Sequence, residues 1–333
     1  MHSDLNRKFQ QAKELQESYC VWRYPGETAI REAGPAPEKI WDGTFPDSET
    51  FVFAPFNRER HPVLMIGERG RIAVHTPPKP PVHTEKKHFM NGVGKAIAAI
   101  KSGQFKKIVA ARVHVKEAPL DPAAHFLALC EKYPDAFCYL WHSPSSGTWL
   151  GASPELLLER EENNIRTMAL AGTRTGNGQA FGSKEMEEQG LVLDYLEMVL
   201  GSWLMETKII EQTRVRSGHL QHLKNEVQGV LKNAHPDMKA LIDQLHPTPA
   251  VAGLPKDEAM AFIDREEGLD RAYYSGFLGT LSAKRCQLYV NLRCMQILHD
   301  THYIYAGAGL TASSDPEKEW LETEEKTKVV LLL

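Results

Sequence analysis

The stretch Leu245-His246-Pro247-Thr248-Pro249-Ala250-Val251-Ala252-Gly253 decides the fold, because of the segments that accompany it in the same chain. Two of these segments lie upstream and two lie downstream. They are Gly151-Ala152-Ser153-Pro154-Glu155, Leu170-Ala171-Gly172-Thr173-Arg174, Tyr305-Ala306-Gly307-Ala308-Gly309 and Asp315-Pro316-Glu317-Lys318-Glu319-Trp320-Leu321-Glu322-Thr323. Any one of the five is compatible with an ordinary turn or helix start. Their occurrence together, in this order, restricts the interpretation.

All five segments in this order resemble signatures of the chorismate-utilising enzymes, which include the anthranilate, aminodeoxychorismate, isochorismate and salicylate synthases. The resemblance covers roughly residues 85–330. It implies two large antiparallel β-sheets packed face to face, with helices outside and the active site in a cleft between the sheets. The chain is short at the N-terminus for this family, so we expect trimmed outer strands there and an intact site.

The composition is that of a globular protein without a global affinity for polyanions. Hydrophobic residues make up 42% and charged residues 25% of the 333 residues, and the formal net charge is -4. This balance, without a basic patch or aromatic ladder, gives no attraction to nucleic acid or to an anionic membrane. The five cysteines include no Cys-x-x-Cys pair, which argues against disulfides and zinc. With no signal-peptide pattern or long apolar run, we expect a cytoplasmic protein.

A proline-rich stretch divides the chain. Residues 74–84 contain four prolines, which favour extended backbone. We therefore predict a short N-terminal segment, residues 1–80, that packs on the main body, and a catalytic domain at residues 81–333. Helix and strand patterns mix without regular βαβ alternation, which indicates an α+β fold. The patterns predict helices at 4–18, 85–101, 122–133, 184–205, 236–245, 256–265 and from about 316, strands at 51–53, 63–66, 107–115, 137–142 and 148–158, and a hairpin of 286–298 with 302–307.

Two predicted helices carry glutamates three residues apart. Glu185 and Glu188 share a helix face that continues with apolar residues, and Glu319 and Glu322 repeat the arrangement in the last helix. Spacing alone leaves open that these are acidic residues in first turns, where the helix dipole favours them. The resemblance implies that they hold a magnesium ion, with Glu188 and Glu322 as direct ligands and Glu185 and Glu319 as supporting ones. Oxygen-only carboxylate sites suit Mg²⁺.

Lys107 heads a strand face that is otherwise apolar. Desolvation at such a position favours a neutral amine, which a general base requires. The alternative is the polar end of a strand, since Lys106 precedes it. In the family that the chain resembles, isochorismate and salicylate synthases keep a lysine in the matching segment to activate water, whereas anthranilate synthases tend to carry glutamine. Lys107 therefore favours chemistry with water.

Two further residues bear on the reaction type. Glu155 precedes three leucines, and apolar neighbours could keep it protonated, as a general acid requires; the alternative is a turn residue facing solvent. By resemblance, Glu155 matches the general acid of the family. Aminodeoxychorismate synthases tend to have a nucleophilic lysine where this chain has Ala171, so alanine removes that route and leaves room for water.

Other residues are assigned to substrate contact. Arg293, on a predicted strand, could clamp a carboxylate with two hydrogen bonds, or form a salt bridge at a strand edge. Tyr274 matches a family tyrosine that contacts substrate. His246 has either a structural role or, by resemblance, a positioning role near the reacting ring hydroxyl. The remaining predicted contacts are Gly172, Thr173, Thr248, Gly307, Gly309 and Lys326.

Together with the resemblance, these residues predict a magnesium-dependent isochorismate synthase that acts on chorismate, in menaquinone or siderophore biosynthesis. Two alternatives remain open: a salicylate synthase, which continues by eliminating pyruvate, and a non-catalytic chorismate-binding protein. We expect a monomer that needs no glutaminase subunit.

Overall fold

The structure, a computed structural model, describes residues 1–68, 70–175 and 181–333. The helices of these residues are α1 (His2–Leu15), α2 (Lys86–Lys101), α3 (Pro122–Lys132), α4 (Ser183–Trp203), α5 (Met238–Leu245), α6 (Lys256–Glu266) and α7 (Pro316–Val330). The strands are β1 (Ser18–Arg23), β2 (Arg31–Ala36), β3 (Lys39–Ile40), β4 (Thr50–Ala54), β5 (Leu64–Ile66), β6 (Arg71–Ile72), β7 (Lys107–Glu117), β8 (Phe137–Ser143), β9 (Gly147–Ser153), β10 (Leu156–Glu161), β11 (Asn164–Thr175), β12 (Leu204–Ile209), β13 (Thr213–Ser217), β14 (Leu220–Leu231), β15 (Gly253–Leu254), β16 (Phe277–Leu281), β17 (Arg285–Val290), β18 (Cys294–Leu298) and β19 (Thr301–Leu310).

The strands of the described residues form two antiparallel sheets. One has eight strands in the order β15-β7-β19-β18-β9-β8-β1-β2. The other has eleven, in the order β12-β14-β11-β10-β17-β16-β4-β5-β3-β6, with β13 also paired to β14. Helices α4 and α5 cover the outer face of the larger sheet, and α1 and α3 cover that of the smaller one. The predicted α+β fold with two packed antiparallel sheets is therefore confirmed.

A layer of aromatic side chains joins the two sheets. Phe53 of the larger sheet contacts Trp141 and Trp149 of the smaller one, with ring centroids 5.2 and 5.9 Å apart. Phe137 and Tyr289 stack across the same interface at 4.4 Å. All five side chains are buried, and burying a large apolar side chain contributes roughly 1.5–3 kcal/mol. This layer fixes the two sheets against each other and so defines the cleft between them.

Two of the links in which the chain passes from one sheet to the other are neighbours in space. The link from β9 to β10 contains Glu155, and the link from β17 to β18 contains Arg293. The two links hydrogen-bond to each other's strands: Val290 N donates to Glu155 O at 3.0 Å, and Ala152 N donates to Arg293 O at 3.1 Å. The sheet change therefore places an acidic and a basic side chain next to each other.

These crossings correct two strand predictions. Residues 148–158 and 286–298 are each divided between two sheets, so neither is one continuous strand. In the second case the backbone of Arg293 has φ of 49°, a left-handed conformation that cannot continue a strand. The predicted hairpin is formed by β18 with β19 alone, while β17 pairs with β16 and β10.

The first 80 residues contribute strands to both sheets. Strand β1 lies between β8 and β2 in the smaller sheet, and β4 lies between β16 and β5 in the larger one. Residues 73–85 have no helix or strand, and Thr84 N donates to Val113 O at 2.9 Å. The boundary at residue 80 stays a prediction. No helix in the described ranges is both long and apolar enough to cross a membrane.

Candidate active site

A cleft opens where the two crossings, the ends of both sheets and helices α4 and α7 meet. Ten residues that were predicted from the sequence to form the site line it. They are Glu155, Ala171, Gly172, Thr173, Glu188, Tyr274, Arg293, Gly307, Gly309 and Lys326. The structure thus brings together residues that are separated by up to half of the chain.

Glu155 is a buried carboxyl group at the wall of this cleft, with 2% of its surface exposed. Burial raises its pKa to about 8, although the positive charges of Lys107, Lys326 and Arg293 act in the opposite direction. The raised pKa means that Glu155 keeps its proton at neutral pH. A protonated carboxyl in a substrate cleft can serve as a general acid.

Lys107 and Glu188 form a buried ion pair beside the cleft, with Nζ 2.9 Å from Oε1. The Lys107 side chain is fully buried and does not itself line the cleft. Burial alone would raise the pKa of Glu188, but Lys107 and Lys184 outweigh it and lower the value to about 2. Glu188 packs on the backbone of Gly309, where a Cβ atom would lie 1.8 Å from its Oε1. Glycine at this position is therefore a steric requirement of the carboxylate.

A glutamine fixes helix α4 so that Glu188 faces the cleft. Gln189 Oε1 accepts from Ala171 N at 2.9 Å, and its Nε2 donates to Ala169 O at 3.0 Å. Gly172 follows with φ of 65°, and the pairing of β11 with β14 shifts register there. A Cβ on Gly172 would lie 2.9 Å from that of Glu185, so the bulge lets α4 approach the strand closely.

Helix α7 brings the second glutamate pair to the same region. Its N-cap is Asp315, whose carboxylate accepts from Lys318 N at 3.0 Å. Glu319 accepts a hydrogen bond from Lys184 at 2.5 Å, and Glu322 accepts one from Lys326 at 2.6 Å. Burial and the nearby charge of Glu322 raise the pKa of Glu319. Its second oxygen, Oε2, is buried and has no hydrogen-bond partner.

The carboxylates fit a hard cation by their chemistry, because they offer only oxygen donors and one buried oxygen of Glu319 is unpaired. In this structure the carboxylates do not surround a common point. Within residues 1–68, 70–175 and 181–333, no three His, Cys, Asp or Glu side chains are grouped closely enough to hold a metal ion. Ammonium groups of lysines contact them instead. Glu185 has a separate contact, since its Oε2 accepts from Gly182 N at 2.6 Å at the start of α4.

Arg293 and His222 form the polar end of the cleft. Arg293 Nη2 lies 2.9 Å from His222 Nε2, while the buried Nη1 has no partner. Burial lowers the pKa of Arg293 to about 10, so the guanidinium stays charged at neutral pH. Burial lowers the pKa of His222 well below its usual value, and the positive charge of Arg293 lowers it further. Arginine is only a donor, so the neutral ring accepts at Nε2 and keeps its proton on Nδ1, 3.4 Å from Thr173 Oγ1.

His222 was not predicted from the sequence. It lies on β14 directly opposite Thr173 of β11 in the strand pairing. Only a correct prediction of that pairing would have connected it with the Gly172-Thr173 segment.

Tyr274 closes the cleft over strand β19. A Cβ on Gly307 would lie 2.9 Å from its hydroxyl oxygen, and its ring stacks on Tyr305 with centroids 5.3 Å apart. Lys326 Nζ donates to Gly307 O at 2.8 Å. Burial raises the pKa of Tyr274, so its hydroxyl remains a hydrogen-bond donor.

His246 and Thr248 are buried but do not line the cleft. His246 Nε2 lies 2.9 Å from Ser275 O, and Ser275 is part of the lining. Burial lowers the pKa of His246 to about 3, so its ring is neutral. Thr248 O accepts from Val251 N at 3.1 Å, and Val251 is also part of the lining. Both residues thus contact the cleft only through neighbours, and a direct role for His246 in the reaction stays a prediction.

The chain belongs to the chorismate-binding enzymes, because the sequence profile of the family described as chorismate binding enzyme matches residues 72–332. The resemblance seen in the sequence is thereby confirmed. The isochorismate synthase MenF of Escherichia coli strain K12 is 32% identical over 292 residues, which cover 80% of this chain and 67% of that protein. The MenF of Haemophilus influenzae is 32% identical over 279 residues, or 77% of this chain and 64% of that protein. The chain thus spans about two thirds of the length of these relatives.

A solved structure supports the same relationship. It is described as a 2,3-dihydroxybenzoate-specific isochorismate synthase, DhbC, from Bacillus anthracis. It superposes with a TM-score of 0.83 at 26% sequence identity and covers 100% of this chain and 99% of its own. The agreement extends over the whole chain, including the strands of its first 80 residues.

Proposed function

We propose that the protein is an isochorismate synthase, which converts chorismate to isochorismate. The observation that carries the proposal is the buried Glu155, protonated at neutral pH, in one cleft with Arg293 and next to the Lys107–Glu188 ion pair. Ala171 lines the same cleft and offers no nucleophile. The similar proteins are named isochorismate synthases, which supports this assignment.

The charges of the cleft suit a small dianion such as chorismate. Arg293 has a buried, unpaired Nη1 that could donate to a carboxylate. Lys326 adds a second positive charge at the lining. Gly307 and Gly309 also line the cleft, and their lack of a side chain lets Tyr274 and Glu188 pack against the backbone of β19.

The proposed reaction needs a base and an acid. Lys107 takes a proton from water, and the oxygen of that water bonds to C2 of chorismate. The ring double bonds shift, the bond from C4 to its hydroxyl breaks, and Glu155 protonates the leaving group so that it departs as water. An ammonium group cannot accept a proton, so Lys107 has to separate from Glu188 and release its own proton to solvent before this step. His246 and Thr248 would act by shaping the lining through Ser275 and Val251.

Magnesium is part of the proposal. Glu188, Glu319 and Glu322 would hold it, and Glu185 remains a predicted supporting ligand. When bound, Mg²⁺ would supply positive charge for the ring carboxylate of the substrate. Menaquinone and catechol siderophore pathways both use isochorismate, and the similar proteins include one named MenF and one described as 2,3-dihydroxybenzoate-specific. We favour menaquinone, a cytoplasmic location and a monomer as predictions.

The test is to incubate purified protein with chorismate and Mg²⁺, with an EDTA control, and to analyse the products by chromatography and proton NMR. The proposal predicts a metal-dependent mixture of chorismate and isochorismate. Salicylate with pyruvate would reassign the chain as a salicylate synthase. Binding of chorismate without conversion would instead support a non-catalytic chorismate-binding protein.

A further inference from the structure

Lys184 is a charged residue of the cleft region that the proposed reaction does not use. It lies in the first turn of α4, and its Nζ donates to Glu319 Oε1 of α7 at 2.5 Å. A positive charge in the first turn is unfavourable, because the N-terminus of a helix is the positive end of its dipole. Contacts with other elements must therefore hold Lys184 there. Glu319, Glu188 and Glu322 are the acidic groups that act on it.

Three carboxylates and three ammonium groups are matched in this region. Lys107 pairs with Glu188 at 2.9 Å, Lys184 with Glu319 at 2.5 Å, and Lys326 with Glu322 at 2.6 Å. The set is electrically balanced without a metal ion. A divalent cation bound to the same carboxylates would add two positive charges among three ammonium groups. At least one ammonium group would then have to move away.

Lys184 is the best placed of the three lysines to leave. The Lys107 side chain is fully buried, and Lys326 is also tied to Gly307 O by a 2.8 Å hydrogen bond. Lys184 has 20% of its side chain exposed and lies at the beginning of a helix, where solvent is close. Its flexible four-carbon stem can reach water without moving the backbone.

We propose that Lys184 is an internal counter-ion that holds the carboxylates of α4 and α7 together when no metal ion is bound, and that it moves into solvent when the metal ion binds. This inference rests on the magnesium site in the proposed function. It assigns Lys184 a positioning role, in which the side chain competes with the metal ion for Glu319. When no metal ion is bound, Lys184 also keeps the buried Glu319 in an ion pair.

The test compares Lys184→Met with the wild-type protein in two measurements. Isothermal titration with Mg²⁺, and electron paramagnetic resonance with Mn²⁺, give the metal affinity. Removing the competing charge is expected to tighten metal binding about tenfold, and weaker or unchanged binding would overturn the proposal. Thermal unfolding without metal is expected at a lower temperature than in the wild type. The matched control is Lys86→Met, which removes an exposed ion pair to Glu317 on the same helix α7 and should leave metal affinity unchanged.

A measurement on the wild-type protein avoids any folding defect of the variant. An amine-reactive reagent, followed by mass spectrometry, reports the exposure of Lys184 with and without Mg²⁺. Modification that increases with Mg²⁺ supports displacement, and modification that stays the same or decreases argues against it.

A double-mutant cycle separates this inference from the proposed function. Lys184→Met, Glu319→Gln and the double variant are unfolded thermally without metal. Non-additive changes support the counter-ion role and additive ones refute it. If neither wild type nor Lys184→Met binds Mg²⁺ or Mn²⁺, the magnesium step of the proposed function fails together with the displacement, while the cycle still decides the counter-ion role.

Discussion

Replacing Glu155 with glutamine tests the acid chemistry most sharply, because glutamine keeps the size of the side chain and cannot ionise. Burial holds the pKa of Glu155 at about 8 instead of 4.5, a difference that corresponds to roughly 5 kcal/mol. Between pH 4.5 and 8 the unfolded carboxyl loses its proton while the folded one keeps it, so stability falls as the pH rises. Above that range both forms are ionised and the loss is constant. The wild-type protein therefore carries a stability cost at pH 8 that is absent at pH 4.5.

The Glu155→Gln variant should escape this cost. Urea denaturation at pH 5 and pH 8 is expected to show a stability advantage of the variant that is larger at pH 8, with roughly 5 kcal/mol as the upper limit. Its turnover should fall roughly a hundred- to ten-thousand-fold, the contribution of a general acid. In the wild type, kcat/KM should decline above about pH 8 as Glu155 ionises. An advantage equal at both pH values, or turnover close to wild type, would refute the assignment.

Other substitutions probe the ion pair and the close approach of α4. Lys107→Ala should lower kcat roughly a hundredfold or more in steady-state assays, whereas Lys106→Ala, at an exposed neighbour, should not. The same Lys107 variant leaves Glu188 buried without its partner, which should cost about 3–5 kcal/mol in urea denaturation; near-normal kcat and stability would contradict the role. In Gly309→Ala the new Cβ would lie 1.8 Å from Glu188 Oε1, and displacing that carboxylate by about 1 Å should reduce activity roughly a hundredfold. The control is Gly92→Ala on α2, where a Cβ meets nothing within 4 Å; it should keep full activity and gain about 0.5–1 kcal/mol of folding stability. Equal losses of activity in the two glycine variants would refute the steric argument.

The helical parts of the site were predictable from the sequence because they depend on local spacing. Glu188 and Glu319 both lie near the N-terminal ends of helices, α4 and α7, as the i,i+3 patterns indicated, and both are buried. Their partners were not predictable in this way. Lys184 contacts a residue 135 positions away, and such a pairing depends on how two helices meet over a sheet.

The parts of the site that lie on strands were less predictable from the sequence. Strands β11 and β14 were not predicted, since β14 carries polar residues that become buried only through tertiary contacts, including His222 and Asn225. Gln189 of α4 bonds to Asn225, and Arg293 bonds to His222. Arg293 itself was placed on a strand, because a single left-handed residue between two apolar runs has no signal in the period-two pattern.

In the proposed reaction, this cleft adds water to one carbon of chorismate and removes the hydroxyl from another. The most direct measurement is the reaction in water enriched in the heavy oxygen isotope, stopped at low conversion, with mass spectrometry and NMR of the product. We expect isochorismate with one labelled oxygen, in the hydroxyl at C2. Unlabelled isochorismate would mean that the original hydroxyl migrates, and no isochorismate at all would contradict the proposed activity.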